Sequence, residues 1–275
     1  MISILMASPT ICFDRSFTEV FDDIIETLLN ERARTEAEYD AFVAFGERIS
    51  NQRSVSSSHP QTGTPGGVMK TPQEYAQSQT TTRLNLIRSA YEDTVMNLSF
   101  YTDEYGDSYI ESICEEFGSE IATALTTPEC LGPTVMKALH DRIETAKSER
   151  QSHIESCDRE RDSIETAANQ LIPIDEEVSA LTNVSFDSQS FGALDAHHNR
   201  LSILGNHCES TAQTRQETIH QQREFYNVSQ AETDVTAYFY REYDITYPIL
   251  AMCSDLTARM TQFRERIEDV ITDVE

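Results

Sequence analysis

An all-α fold is what this sequence predicts: an elongated helical bundle built on a long antiparallel coiled-coil-like hairpin, closed by a C-terminal aromatic-capped helix. Three observations carry that prediction. Apolar residues recur in steps of three and four over long stretches. Glycine and proline are scarce, 9 and 8 in 275 residues. The hydrophobic fraction is only 39%, with no tryptophan, which suits narrow apolar stripes on long helices better than the thick core of an α/β enzyme.

The first helix is expected from about Phe17 to Ile49. Ser16 and Glu19 have capping-box spacing, and Phe17, Phe21, Ile24 and Leu28 open a stripe that resumes at Phe42, Phe45 and Ile49. Residues 1–50 are therefore read as an N-terminal helical segment. Residues 51–82 turn to Ser, Thr, Gln, Gly and Pro, a composition that buries too little apolar surface to offset its ordering entropy, and they are expected to be a flexible linker.

The remainder, 83–275, is read as a helical body. A second helix is expected near Arg83, with Leu84, Ile87, Tyr91 and Val95 on one face. A turn follows at Tyr101 to Gly106, then a short helix through Ile110, Ile113, Phe117, Ile121 and Leu125, ended by Pro128 and Gly132-Pro133. The hairpin is expected over about 133–228. Its first seam runs through Leu139, Ile143, Ala146, Arg150, His153, Cys157, Glu160, Ile164, Ala167 and Leu171, where Pro173 should end it. Its second runs through Leu194, His198, Leu201, Gly205, Cys208, Ala212, Arg215, Ile219, Gln222 and Tyr226. An antiparallel register pairs Leu171 with Leu194, Ile164 with Leu201, Cys157 with Cys208 and Ile143 with Gln222. Such a hairpin would be roughly 50 Å long. Pro248 opens a last helix, about 248–272, with Leu250, Cys253, Leu256, Met260, Phe263 and Ile267 in its stripe.

Charge speaks to environment. A formal charge of −26 is self-repelling in dilute buffer, and molar salt shortens the Debye length to about 3 Å. Lys70, Lys137 and Lys147 are the only lysines. Acid excess with few lysines is the surface of a protein adapted to a very salty cytoplasm. The same charge argues against nucleic acid, which needs clustered cations, whereas here Arg is interleaved with Glu, as at Glu31 to Arg34. Met1 to Phe13 lacks a basic start and an adequate apolar run, so no signal peptide is expected. No run of eighteen apolar residues marks a membrane span.

Several blocks resemble an uncharacterised family of haloarchaeal proteins, a domain of unknown function. They are Glu31 to Ile49 (ERARTEAEYDAFVAFGERI), Ile87 to Met96 (IRSAYEDTVM) followed by Tyr101 to Tyr105, Glu116 to Leu125 (EFGSEIATAL), and Tyr238 to Leu250 (YFYREYDITYPIL). The resemblance implies a halophilic helical protein and brings no known activity or catalytic residue.

Chemistry is sparse. The metal candidates are His197-His198 with His207-Cys208, joined across the expected hairpin by His153 and Cys157, which stand one turn apart on a helix face. Zinc takes about four such ligands, but the group of His197, His198, His207 and Cys208 lacks matched spacing, and His and Cys fill helical seams without metal. Neither a metal site nor a cofactor is expected. The six cysteines include no C-x-x-C pair and read as reduced core residues. No nucleophile elbow or phosphate-cradling loop is present, so no catalytic residue is assigned. The aromatic tail, with Tyr238, Tyr240, Arg241, Tyr243 and Tyr247, reads as an intramolecular cap, over the hairpin end or against Tyr101, Tyr105 and Tyr109. Its alternative is a partner-binding surface, since Tyr and Arg enrich interfaces. The expected function is a cytoplasmic, non-enzymatic helical scaffold or protein-interaction module, with an unknown protein partner or self-association. The alternative is a metal- or redox-responsive regulator using Cys157 and Cys208.

Overall fold

The computed structural model describes residues 15–55, 72–227, 238–241 and 243–273. Among them run eight α-helices and no strand: α1 (Phe17–Val55), α2 (Pro72–Glu92), α3 (Tyr101–Glu104), α4 (Tyr109–Phe117), α5 (Ser119–Thr126), α6 (Pro133–Ala180), α7 (Phe191–Asn227) and α8 (Pro248–Asp273). The fold is all-α. The chain divides into two compact units, one of Met1–Asn30 with Asp158–Glu275, the other of Glu31–Cys157, so α1 and α6 each contribute to both.

Sequence reasons for α1 hold in atomic detail. The Ser16 hydroxyl accepts from the Glu19 amide (3.3 Å) and the Glu19 carboxylate from the Ser16 amide (3.0 Å), satisfying two otherwise orphaned donors. Phe17, Phe21, Ile24, Leu28, Phe42, Phe45 and Ile49 are all buried. The helix continues to Val55, and α2 begins at Pro72, eleven residues before the expected Arg83. Pro suits a first helical turn because its missing N–H would be unpaired there anyway. The middle of the expected linker, 56–71, lies outside the described residues.

In the unit Glu31–Cys157, α1 and α6 pack antiparallel. Gly46 lies against Ile143, Glu38 pairs with Arg150, and Glu31 with His153. The sequence reading placed Ile143 beside Gln222 of α7, and the structure corrects it. Ile143 buries with Phe42, Phe45 and Ile49 in one apolar cluster, and apolar burial gains roughly 25 cal/mol per Å², which an amide partner would forfeit. Phe45 meets Tyr91 edge-on at 5.1 Å and stacks on Phe117 at 6.2 Å, so the ring contacts join α1, α2 and α4. The expected turn at Tyr101 to Gly106 contains the one-turn α3, ended by Gly106 at φ 63°. The single short helix expected after it is two, α4 and α5, because Gly118 adopts φ 90°, ψ 158°, a conformation open essentially only to glycine. Ser108 and Glu111 form a second capping box at the start of α4.

In the other unit, α6 does not stop at Pro173 but runs on to Ala180. An internal proline costs about 3 kcal/mol through its lost hydrogen bond and ring clash. Against that, the continued helix buries Ile174 and Val178, each worth about 1.5–3 kcal/mol, while exposed Asn169 leaves its freed carbonyl to solvent. This longer helix moves the fold-back point. Helices α6 and α7 are antiparallel as expected, but Arg200 meets Glu177 instead of lying near Ile164, Thr211 meets Gln170, and Arg215 meets Glu160. The register is displaced by about three to four turns from the predicted one, so Cys208 lies within one turn of the Gln170 level and is not matched to Cys157. Helix α8 lies antiparallel on α7, tied by His198 to Glu268 (2.9 Å) and by Cys208 to Cys253.

Candidate functional site

Three places bring chemistry-bearing side chains together. The first is a polar lock inside the unit that holds α7 and α8. Glu160, on the seam of α6, is 0% exposed; Arg215 of α7 is 3% and Tyr240 is 2%. The Arg215 guanidinium grips both Glu160 oxygens, one at 2.9 Å, and also donates to Ser163 at 3.0 Å. The Gln222 amide donates to Glu160 Oε2 at 3.0 Å and the Tyr240 hydroxyl to Oε1 at 2.6 Å. Burial alone would push the Glu160 carboxyl up; the Arg215 charge and the hydrogen bonds outweigh it and hold the group below the ordinary glutamate range. Burial and the adjacent carboxylate push Tyr240 well above the ordinary tyrosine value. Both Glu160 oxygens carry two hydrogen bonds each. A carboxylate so occupied has no lone pair directed at a substrate, and its effect is to fix helix register.

The second place lies in the other unit. Arg150 forks onto Glu116, one bond at 3.1 Å, reaches Glu38 at 3.1 Å, and sits over the Phe42 ring at 4.5 Å. Tyr105 donates to Glu38 at 2.7 Å. Burial opposes the Arg150 charge, but Glu116 and Glu38 raise its pKa further. Beside this cluster is a cavity of about 50 Å³ lined by Tyr91, Leu98, Tyr101 and Ser112 among others. Tyr91 and Ser112 share a hydrogen bond of 2.8 Å, whereas the buried Tyr101 hydroxyl makes none within 3.5 Å among the described residues. The space suits water-sized occupants.

The third is a trough of about 850 Å³ between α7 and α8. Leu201, Gly205, Cys208 and Ala212 line it from α7; Cys253, Ser254, Ala258 and Met260 from α8; Glu209, Gln216 and Arg264 add polar groups. The small residues leave it wide, and Ile203 is exposed on the same helix α7.

Four of the metal candidates lie as follows, and His198 pairs with Glu268 at 2.9 Å. His153 pairs with Glu31 at 3.0 Å, and Cys157 is buried. His207 is exposed, whereas its neighbour Cys208 is buried and donates to the Cys253 carbonyl at 3.3 Å. Among the described residues no group of three or more His, Cys, Asp or Glu could hold a metal ion. Sequence reasoning missed Cys253 as the partner of Cys208. Both stand in apolar stripes, but only the pairing of α7 with α8 brings them together.

Most of the aromatic tail turns inward. Tyr240 belongs to the polar lock, Tyr243 shares a hydrogen bond of 3.1 Å with Thr27, and Tyr247 accepts from Arg223. Arg241 stacks on Tyr238 at 4.7 Å and is exposed. These contacts stay within their own unit, and Tyr101, Tyr105 and Tyr109 belong to the other. Among the described residues no helix is long and apolar enough to cross a membrane.

Neither a curated protein nor a solved structure gives a significant match to the chain. The polar lock, the Arg150 cluster and the trough all fall within residues 19–264, the span matched by the family model described as Domain of unknown function (DUF7260), and the chain belongs to that family.

Proposed function

We propose that this protein is a non-enzymatic helical interaction module of a salt-rich cytoplasm, and that it receives one amphipathic helix of a partner protein in the trough between α7 and α8. The observation that carries this reading is the trough itself. It is long, floored by small and apolar side chains, and flanked by polar groups, the form in which a helix lays its apolar face into a groove. The enzymatic reading has less behind it, since the deeply buried carboxylate and guanidinium are saturated by one another.

Charge selects the occupant. A second copy brings the same −26 and is repelled, as is nucleic acid, whereas a helix with Lys or Arg flanking its apolar face is attracted. The charge and the three lysines support the salt-rich setting, where screening confines that selection to groups in direct contact and leaves apolar contact as the main source of affinity.

The test is site-specific photo-crosslinking in cells, with the reactive side chain at Ser254 in the trough and, as control, at exposed Glu47 on α1. The expected result is a heterologous adduct from Ser254 alone, mapped to a basic-flanked amphipathic helix and suppressed by Ala212→Trp. Adducts of equal yield from both positions, or adducts only between copies of this chain, would overturn the proposal.

A further inference from the structure

We propose that Cys208 and Cys253 form a dithiol modification site, at which a small hydroperoxide is reduced and the two sulfurs are joined as a disulfide between α7 and α8. The inference concerns a covalent change and stands whether or not a helix docks in the trough.

Geometry supplies the ground. Cys208 Sγ is 3.3 Å from the Cys253 carbonyl oxygen, so the side chain of one residue reaches the backbone of the other across the helix pair. The Cys253 carbonyl also accepts from the Thr257 hydroxyl at 2.8 Å, which places that hydroxyl 3.8 Å from Cys208 Sγ. Cys208 is 0% exposed and Cys253 4%, yet both lie in the wall of the trough. A molecule as small as hydrogen peroxide can reach them by a slight opening of that wall, whereas a protein thiol cannot. A disulfide closes at about 2.05 Å between sulfurs, and the Cys208 sulfur already reaches the Cys253 backbone from the adjacent antiparallel helix.

The two thiols differ in acidity. The hydrogen bond from Cys253 lowers the Cys208 pKa, opposed by burial and assisted by Thr257, so Cys208 is the better thiolate. The same bond and burial raise Cys253, which keeps its proton. Cys208 thiolate attacks one peroxide oxygen; the O–O bond breaks, an S–O bond forms, and the departing hydroxide takes a proton and leaves as water. Cys253 sulfur then attacks Cys208 Sγ; the S–O bond breaks, the S–S bond forms, and the hydroxyl leaves with the Cys253 proton as a second water. Each sulfur gives up one electron, and the peroxide takes up two. The product staples α7 to α8 across the wall of the trough.

The full chain, folded in molar KCl, is treated with hydrogen peroxide, blocked with N-ethylmaleimide and digested with trypsin without reductant. Cys208 and Cys253 fall in separate single-cysteine peptides, Leu201 to Arg215 and Glu242 to Arg259. The expected result is a linked mass equal to the two peptides less two hydrogens, dominant over any link through exposed Cys114 or Cys130 and lost on reduction. Cys253→Ser should abolish the linked mass and leave a sulfenic acid on Cys208 that dimedone traps. If Cys208 and Cys253 remain fully labelled after denaturation while Cys114 and Cys130 have been oxidised, the proposal is overturned. It is equally overturned if the link forms only in protein first unfolded with guanidinium. Both refuting results are read on the unsubstituted chain, so they do not depend on a variant that folds.

Discussion

Replacing Arg215 by Leu would leave Glu160 buried without its cation. Glu160 is 0% exposed and Arg215 3%, so water cannot take the place of the lost guanidinium without the helices parting. Removing one partner of such a pair costs about 3–5 kcal/mol, a large share of the roughly 5–15 kcal/mol that holds an ordinary domain together. The pH dependence should invert as well. In the parent protein Glu160 is held below its unfolded value, so its contribution is fully present above about pH 4.3 and is lost as pH falls through the folded value. Without Arg215, burial dominates and the folded pKa moves above the unfolded one. The variant is then least stable near neutrality and gains stability as pH is lowered from 7 toward 5. Glu160→Leu combined with Arg215→Leu should recover part of the loss, the shortfall coming from the Tyr240 hydroxyl that loses its carboxylate, at about 1–3 kcal/mol. Adding Tyr240→Phe should recover more. The assay is urea denaturation in molar KCl followed by far-UV circular dichroism at several pH values, read as variant minus parent. A loss under about 1 kcal/mol for Arg215→Leu, with no difference in pH slope, would show that the pair is solvated and that the lock contributes little.

Two further outcomes follow from composition and from one helix. With 47 acidic against 21 basic side chains, far-UV circular dichroism across a KCl series should show helix content and cooperativity falling toward about 20 mM salt; full helicity and a cooperative melt there would refute the repulsion argument. Pro173→Ala should raise the melting temperature, since it restores a backbone donor inside α6 at an exposed position, with a gain of up to about 3 kcal/mol; no change would mean that the helix is bent to accommodate the ring.

What the sequence determined by itself was local. Apolar spacing along Phe17 to Ile49 and along Leu139 to Leu171 predicted long amphipathic helices, Ser16 with Glu19 marked where the first begins, and Pro248 where the last begins, because periodicity and capping act within a turn or two of the residues concerned. Even the polar lock left its trace, since Glu160, Arg215 and Gln222 each stood at a seam position where an apolar residue would ordinarily be. Tertiary structure decided which seam meets which. A repeat of three and four is nearly self-similar under a shift of one or two heptads, so α6 could be drawn against α7 in the wrong register with every apolar position still facing a partner. The choice among those registers rests on the burial of Ile174 and Val178 beyond Pro173, on the Phe42 and Phe45 rings that take Ile143 to α1, and on the match of Arg215 to Glu160. Cys253 came to Cys208 for the same reason: a helix carries a thiol on its face by local rule, but its neighbour is set by the whole packing of the unit.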